Sequence, residues 1–226
     1  MALKINTTIR ATRVGGRRPL SAIRAIVFHY TANTGQHATA LGNARYFANG
    51  SEGRAASAHY VVDEGDTAFE CVPLDVVAWA VGDGQSGKYG KVYNNYNTVS
   101  IEMVSHTDAS GKYYIPEATM KNAARLYQML IKKLPGAKTA IRHYDISLKN
   151  CPAPLIDEKK WAEFKKLLEG VDEVVTKAKM IVDGKDIEVE RILKNGTNYI
   201  KIRDIAKALD LDVSNKGNIA VLNHKK

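Results

Sequence analysis

Apolar and polar positions change rhythm several times along the chain, and each change marks an element. Residues 23–30 are mostly apolar (Ile23, Ala25, Ile26, Val27, Phe28), the pattern of a strand buried on both faces, and the run ends at His29. Thr39 to Ala48 predicts a helix stopped by Asn49-Gly50. Ser57 to Asp63 and Thr67 to Val72 predict strands on either side of the turn Asp63-Glu64-Gly65-Asp66. Residues 82–90 are rich in glycine and polar groups and predict a loop. Val99 to Ser105 is another apolar strand, and it carries Glu102. Met120, Ala124, Tyr127, Ile131 and Leu134 recur at steps of three and four, one face of an amphipathic helix that Pro135-Gly136 ends. A further helix from about Asp157 places Trp161, Phe164 and Leu168 on one face and stops at Gly170. Strands interleaved with helices predict an α/β domain: a mixed central β-sheet flanked by helices.

Beyond Gly170 the rhythm is different. Residues 171–179 have no clear period and read as a linker. Met180-Ile181-Val182, then Ile187, Val189 and Ile192, then Tyr199-Ile200-Lys201-Ile202 form short apolar runs separated by Asp183-Gly184 and Asn195-Gly196. Both dipeptides are hairpin signals, because both turn positions tolerate positive φ. A short helix from Arg203 to Leu209 and a last strand near Ile219 to Leu222 complete a small α+β domain. The expected organisation is therefore residues 1–170, a linker at 171–179, and a second domain at 180–226.

Length agrees with that division, since 226 residues suffice for one substantial domain and a small one. No apolar stretch approaches the length of a membrane-spanning helix. The first residues, Met1 to Asn6, show no apolar run of signal-peptide length. The net charge of +9 is unevenly shared: residues 1–170 hold 22 Lys and Arg against 15 Asp and Glu, and residues 171–226 hold 11 against 9. A basic first domain suits long-range attraction to anionic polymers, which salt would weaken. Nucleic acid is not the expected partner, because the basic residues are scattered and no nucleic-acid-binding motif accompanies them.

Two cysteines are present, Cys71 and Cys151. Cys71 lies in the apolar stretch Phe69-Glu70-Cys71-Val72-Pro73 and reads as a small core residue. Cys151 has a different neighbourhood. His143 stands eight residues before it and Lys149 two residues before it, in Arg142-His143-Tyr144-Asp145 and Lys149-Asn150-Cys151-Pro152. Imidazole nitrogen and thiolate sulfur are good zinc donors, and three protein ligands with an open fourth position make a catalytic zinc site. His29, at the end of its strand, offers the third donor.

The segments Ala25 to Asn33, Ala56 to Asp63, Asn97 to Met103, and Arg142 to Asp145 through Lys149 to Pro152 together resemble the zinc-dependent N-acetylmuramoyl-L-alanine amidases of type 2. That family includes phage endolysins and the peptidoglycan recognition proteins. The four motifs occur in the family's order and cover roughly residues 1–170. The resemblance implies the peptidoglycan recognition protein-like amidase fold, zinc as cofactor with His29, His143 and Cys151 as its ligands, and hydrolysis of the amide between N-acetylmuramic acid and L-alanine in bacterial peptidoglycan. It makes Glu102 the carboxylate that moves the proton of the attacking water, and Lys149 the cation that stabilises the oxyanion. His59, Tyr60 and Trp79 are the expected substrate-binding residues. The chain departs from the family at two places. Ala58 stands where some relatives carry a catalytic tyrosine, and Ala80 stands where many carry histidine after tryptophan.

The resemblance further implies an enzyme made in the cytoplasm without a signal peptide and acting at the cell wall after release. The C-terminal domain resembles the stalk-like repeats related to the N-terminal domain of copper amine oxidases. It holds no ligand cluster, so no copper is implied, and both wall binding and self-association (a homo-oligomer) stay open as its role. Two other functions remain open on the same motifs: a non-catalytic peptidoglycan-binding module and an amidase of soluble muropeptides. Retention of all three ligands with Glu102 favours the enzyme over the first, and Cys151, where the soluble-fragment enzymes commonly use aspartate, favours intact wall over the second.

Overall fold

A computed structural model of the chain describes residues 3–35, 38–169, 175–194, 197–217 and 219–225. The chain divides into two compact units, Met1–Val171 and Asp172–Lys226. The first contains strand β1 (Lys4–Asn6), β2 (Ala25–Tyr30), helix α1 (Ala40–Ala48), β3 (Tyr60–Val62), β4 (Thr67–Glu70), β5 (Thr98–Met103), β6 (His106–Thr107), β7 (Tyr113–Tyr114), α2 (Glu117–Lys133), β8 (Thr139–Arg142), α3 (Tyr144–Ser147) and α4 (Glu158–Glu169).

Six strands form one mixed sheet in the order β1-β4-β3-β5-β2-β8. Its central and outer ladders are parallel, and β3–β4 is the antiparallel pair. Strand alternation divides the side chains between two faces. Ile26, Phe28, Tyr60, Val62, Val99, Ile101 and Met103 join the largest core cluster, beneath α2 and α4. Phe28 is its aromatic hub, edge-on to Phe164 at 5.0 Å between ring centroids and 6.1 Å from both Tyr127 and Trp161. On the opposite face, Val61 packs with Ala40, Ala44 and Phe47 of α1, while Ala25 and Val27 pack with Val81, Ile141 and Ile146. The alternation also places His29 and Glu102 on this second face, out of the main core.

Helix α1 begins where its cap predicts. Thr39 Oγ1 accepts the Gly42 N–H at 3.0 Å, and Asp63 Oδ2 accepts the Ala40 N–H at 2.7 Å. Asn122 of α2 donates to the carbonyls of Asp63 and Gly65 and ties that helix to the same turn. In α2 the buried face is wider than the expected stripe. Ala123, Leu126 and Leu130 are buried beside Ala124 and Tyr127, whereas Met120 and Ile131 lie at its half-buried edges. The reason is that α2 is covered from two sides, by the sheet and by α4, so positions one residue off the stripe are also enclosed. Trp161, Phe164 and Leu168 of α4 are buried as their spacing predicts.

The second unit contains β9 (Val175–Val182), β10 (Lys185–Lys194), β11 (Thr197–Ile200), helix α5 (Ile202–Ala208), β12 (Leu211–Lys216) and β13 (Ile219–His224). The first three form an antiparallel sheet and the last two a separate hairpin. Asp183 and Gly184 both adopt positive φ, +47° and +75°, which is what the β9–β10 hairpin requires. Residues 195 and 196, the other hairpin signal, lie outside the described residues, as does Gly170. Strand β9 starts at Val175, within the stretch read from sequence as linker, and β12 occupies a stretch to which the sequence reading gave no element.

Candidate metal centre and active-site cleft

Register brings the site together. In the parallel pair β2–β5, His29 stands opposite Glu102. In the parallel pair β2–β8, Phe28 stands opposite Arg142, and the His143 N–H continues the ladder to the Phe28 carbonyl at 3.3 Å. Three adjacent parallel strands thus deliver His29, Glu102 and His143 at their carboxyl ends, the place where open α/β sheets bind ligands. Cys151 arrives from the loop after α3, and its carbonyl accepts the Tyr144 N–H at 2.8 Å. Arg142 holds the base of this loop. Its guanidinium pairs with Asp145 at 2.7 Å and Glu158 at 2.6 Å and donates to the Leu155 and Ile156 carbonyls.

His29, His143 and Cys151 are 2%, 1% and 5% exposed. Their donor atoms all lie within 4.8 Å of one another. Cys151 Sγ is 3.6 Å from His29 Nδ1, and the two imidazole centroids are 4.7 Å apart. His29 Nε2 and His143 Nδ1 are buried without a hydrogen-bond partner. Leaving such nitrogens unpaired is unfavourable, by about 1–3 kcal/mol each. A metal ion among the three donors would satisfy His143 Nδ1, and on His29 it would meet Nδ1, the nitrogen that faces Cys151 Sγ. Two imidazoles, one thiol and an open side toward a cleft match the donor set of catalytic zinc, and hard cations such as magnesium would prefer oxygen.

The electrostatics agree with that fit. Burial holds His29 well below the usual imidazole range, helped by His143, Lys149 and His59, so it is a neutral donor. His143 is also lowered by burial, although Asp83 pulls the other way. Burial drives the Cys151 thiol up, with Glu102 adding to the effect, and metal binding there would displace its proton. Glu102 is pushed up to about 8 by burial, with Lys149 opposing. Its Oε2 is buried and has no hydrogen-bond partner.

These residues line one cleft of about 650 Å³, together with Trp79, Ala80, Arg54 and Asn95. Lys149 is at its rim, 57% exposed in its side chain, with Nζ 3.1 Å from Asp83 Oδ2. Of the expected substrate-binding residues, Trp79 reaches the cleft wall, and Ala80 beside it occupies the place of the family's histidine.

His59 and Tyr60 do not line the cleft. His59 is buried; its Nδ1 accepts the Ser100 N–H at 3.1 Å and its Nε2 lies 3.2 Å from the Val76 carbonyl. Tyr60 points to the opposite face of the sheet and donates to Glu70 Oε2 at 2.8 Å. His59 and Tyr60 are both held by partners inside the fold, and neither is among the residues that line the cleft. Ala58, at the position of some relatives' tyrosine, is fully buried with α1. Asn97 orders the preceding turn, donating to the Val92 carbonyl and accepting the Asn94 N–H.

Two residues at the cleft escaped the sequence reading. Asn95 Oδ1 accepts the N–H groups of Ala80 and Val81 and fixes the cleft wall. Asp83 Oδ1 lies 2.6 Å from His143 Nε2. Both sit in irregular segments, where no periodicity singles a residue out. The one available signal was a carboxylate inside the Gly82-Asp83-Gly84 turn.

Residues 19–154 match the family model described as N-acetylmuramoyl-L-alanine amidase. The chain is 32% identical over 199 residues to the N-acetylmuramoyl-L-alanine amidase CwlL of Bacillus licheniformis, covering 84% of this chain and 53% of that protein. It is 33% identical over 159 residues to the N-acetylmuramoyl-L-alanine amidase BlyA of Bacillus subtilis, covering 65% of this chain and 41% of that protein. The chain thus spans about half the length of these curated relatives. The solved catalytic domain of XlyA superposes with a TM-score of 0.57 at 26% identity, over 74% of this chain and 99% of that one. With the family model matching more than half of its length, the chain belongs to the N-acetylmuramoyl-L-alanine amidase family.

Proposed function

We propose that the chain is a zinc-dependent N-acetylmuramoyl-L-alanine amidase of the endolysin kind, cutting the amide between N-acetylmuramic acid and L-alanine in peptidoglycan. The observation that carries this reading is the convergence of His29, His143 and Cys151 with Glu102 at the mouths of three parallel strands, inside a single cleft. Zinc held by those three residues would supply a Lewis acid for the scissile carbonyl and lower the pKa of a water from about 16 to roughly 7.

The chain's own groups would do the rest. Glu102 takes the proton of the attacking water and hands it to the leaving nitrogen. Burial raises its carboxyl above the ordinary range, and Lys149 opposes that rise, as a bound cation would, so both a proton-accepting and a proton-donating form are within reach. Lys149 at the rim contributes positive charge to the oxyanion. Trp79 offers a flat apolar surface on the cleft wall to the substrate. The basic first unit would be drawn to anionic wall polymers, and the second unit would hold the enzyme to the wall or pair it with another copy.

The reading is tested on purified Gram-positive peptidoglycan by following new N-terminal alanine and new reducing sugar ends. The expected result is new alanine amines without reducing ends, lost on chelation and in Cys151→Ser. A folded, zinc-loaded protein that releases neither terminus from intact wall, and no alanine from soluble muropeptides, would sink the enzyme reading and leave a binding module. Cleavage confined to the soluble fragments would instead move the substrate off the intact wall.

A further inference from the structure

We propose that Asp83 is a positioning residue that sets the His143 ring for metal and tethers Lys149 beside it. This rests on the zinc reading above. The starting point is the 2.6 Å contact between Asp83 Oδ1 and His143 Nε2. A carboxylate oxygen accepts and does not donate, so the imidazole proton stands on Nε2. The lone pair is then on Nδ1, the atom that is buried and has no partner. One hydrogen bond therefore selects both the tautomer and the ring face that His143 presents toward His29 and Cys151. Histidine ligands of metal sites are commonly held in this way, through the nitrogen that does not bind the metal.

The second carboxylate oxygen, Oδ2, takes the Lys149 ammonium at 3.1 Å. One side chain thus links a metal donor to the cation expected at the oxyanion. The two arms differ in strength. His143 is buried, whereas the Asp83 and Lys149 side chains are 39% and 57% exposed, so solvent screens the second arm.

The backbone is built to keep Asp83 there. Gly84 follows it with φ of +147°, a conformation open to glycine. The Gly87 N–H donates to the Ile146 carbonyl at 2.8 Å and the Tyr89 N–H to the Asp145 carbonyl at 2.7 Å. A Cβ on Gly87 would stand 2.5 Å from the Asp145 carbonyl oxygen. The loop is therefore laced to α3, which begins at the residue after His143. Asp83 and His143 are carried on two segments that cannot easily separate.

The test is zinc affinity of the full chain by competition with a chelator of known affinity, together with kcat at saturating zinc and the ¹⁵N signals of His143 in metal-free protein. Asp83→Ala is expected to weaken zinc by about 10–100-fold. Asp83→Asn, which keeps an acceptor without the charge, is expected to weaken it less. Lys149→Met is expected to lower kcat and leave zinc affinity unchanged, which separates the two arms. Wild-type His143 should show a single Nε2–H tautomer that becomes mixed in Asp83→Ala, a change that loss of fold stability alone would not produce. Wild-type zinc affinity and an unchanged tautomer in both Asp83 variants would overturn the proposal, provided the wild type binds zinc and Cys151→Ser does not. If the wild type itself binds none, or Cys151→Ser binds as tightly, the zinc reading fails instead.

Discussion

Among the described residues, three buried histidines sit in the first unit, and they meet two different environments. At the ends of β2 and β8, His29 and His143 each keep one ring nitrogen buried and unpaired, with Cys151 between them. On the other side of β5, His59 engages both nitrogens: Nδ1 accepts from Ser100, and Nε2 lies against the Val76 carbonyl. Arg18 lies against the same ring at 2.6 Å, and its guanidinium donates to the carbonyls of Leu74, Asn95, Tyr96 and Thr98. Burial is the same in both places, so burial does not mark a ligand. The distinguishing feature is unmet hydrogen-bonding capacity that converges with other donors. One environment is finished by the protein itself, and the other gathers donors that could hold a metal ion.

The comparison is most sharply broken at Glu102, which belongs to the first environment without being a ligand. Glu102→Gln should lower kcat by about 10²–10⁴-fold, the range expected for loss of a proton-transfer group, with zinc affinity and thermal unfolding close to wild type. Zinc loss on a par with Cys151→Ser would instead make Glu102 part of the donor set. The second environment should respond in the opposite sense. His59→Ala leaves the Ser100 N–H and the Val76 carbonyl without their His59 partner, at about 1–3 kcal/mol of stability. Denaturant unfolding should register that loss, while the zinc affinity of the folded protein stays unchanged. A fall in zinc affinity in a stably folded His59→Ala variant would erase the distinction between the two environments.

The smallest expected effect is an acid slope. Burial, with Arg18 adding, holds His59 down to about 3, far below the ordinary imidazole value of 6.5. The unfolded chain therefore takes up the proton first as pH falls. Stability contributed by neutral His59 is complete above about pH 6.5 and is lost between there and about 3, at no more than about 1.4 kcal/mol per pH unit. His29 and His143 shift in the same direction and add to the slope in metal-free protein. Unfolding free energy measured from pH 7 to 5 should fall less steeply in His59→Gln than in wild type. Parallel slopes would show that His59 takes up its proton over the same pH range in the folded protein as in the unfolded chain.

A second contrast separates the two units. The first has three apolar clusters beneath and above its sheet. Among the described residues of the second, Val189 and Ala206 are the buried apolar ones, while Ile181 and Ile219 are more than two-thirds exposed. A two-stranded ladder such as β12–β13 has little to stabilise it in isolation. The first unit, packed on both faces of its sheet, is the part that carries the donor cluster.

Much of the first unit was legible in the amino-acid order. Continuous apolar runs gave β2 and β5, the three-and-four spacing gave α2 and α4, and Thr39 marked the start of α1. The donors His29, His143 and Cys151 were legible because zinc chemistry confines the residue types and their motifs lie in order. The small strand β1 and strand β12 were not, since three residues, or a polar run such as Asp212 to Lys216, carry no period.

What the sequence determined by itself is therefore the set of elements and the chemical kinds of group available: alternation decides which face a side chain takes, and residue type decides what it can bind. Tertiary structure alone decided which groups meet. The β2–β5 register sets Glu102 beside His29, and the lacing of the Gly-rich loop to α3 brings Asp83 to His143 across 60 residues of chain. It also decided that His59, which shares the residue type and burial of the candidate donors His29 and His143, has both ring nitrogens engaged and does not line the cleft. Such pairings depend on long-range backbone hydrogen bonds and close packing, which local spacing does not encode.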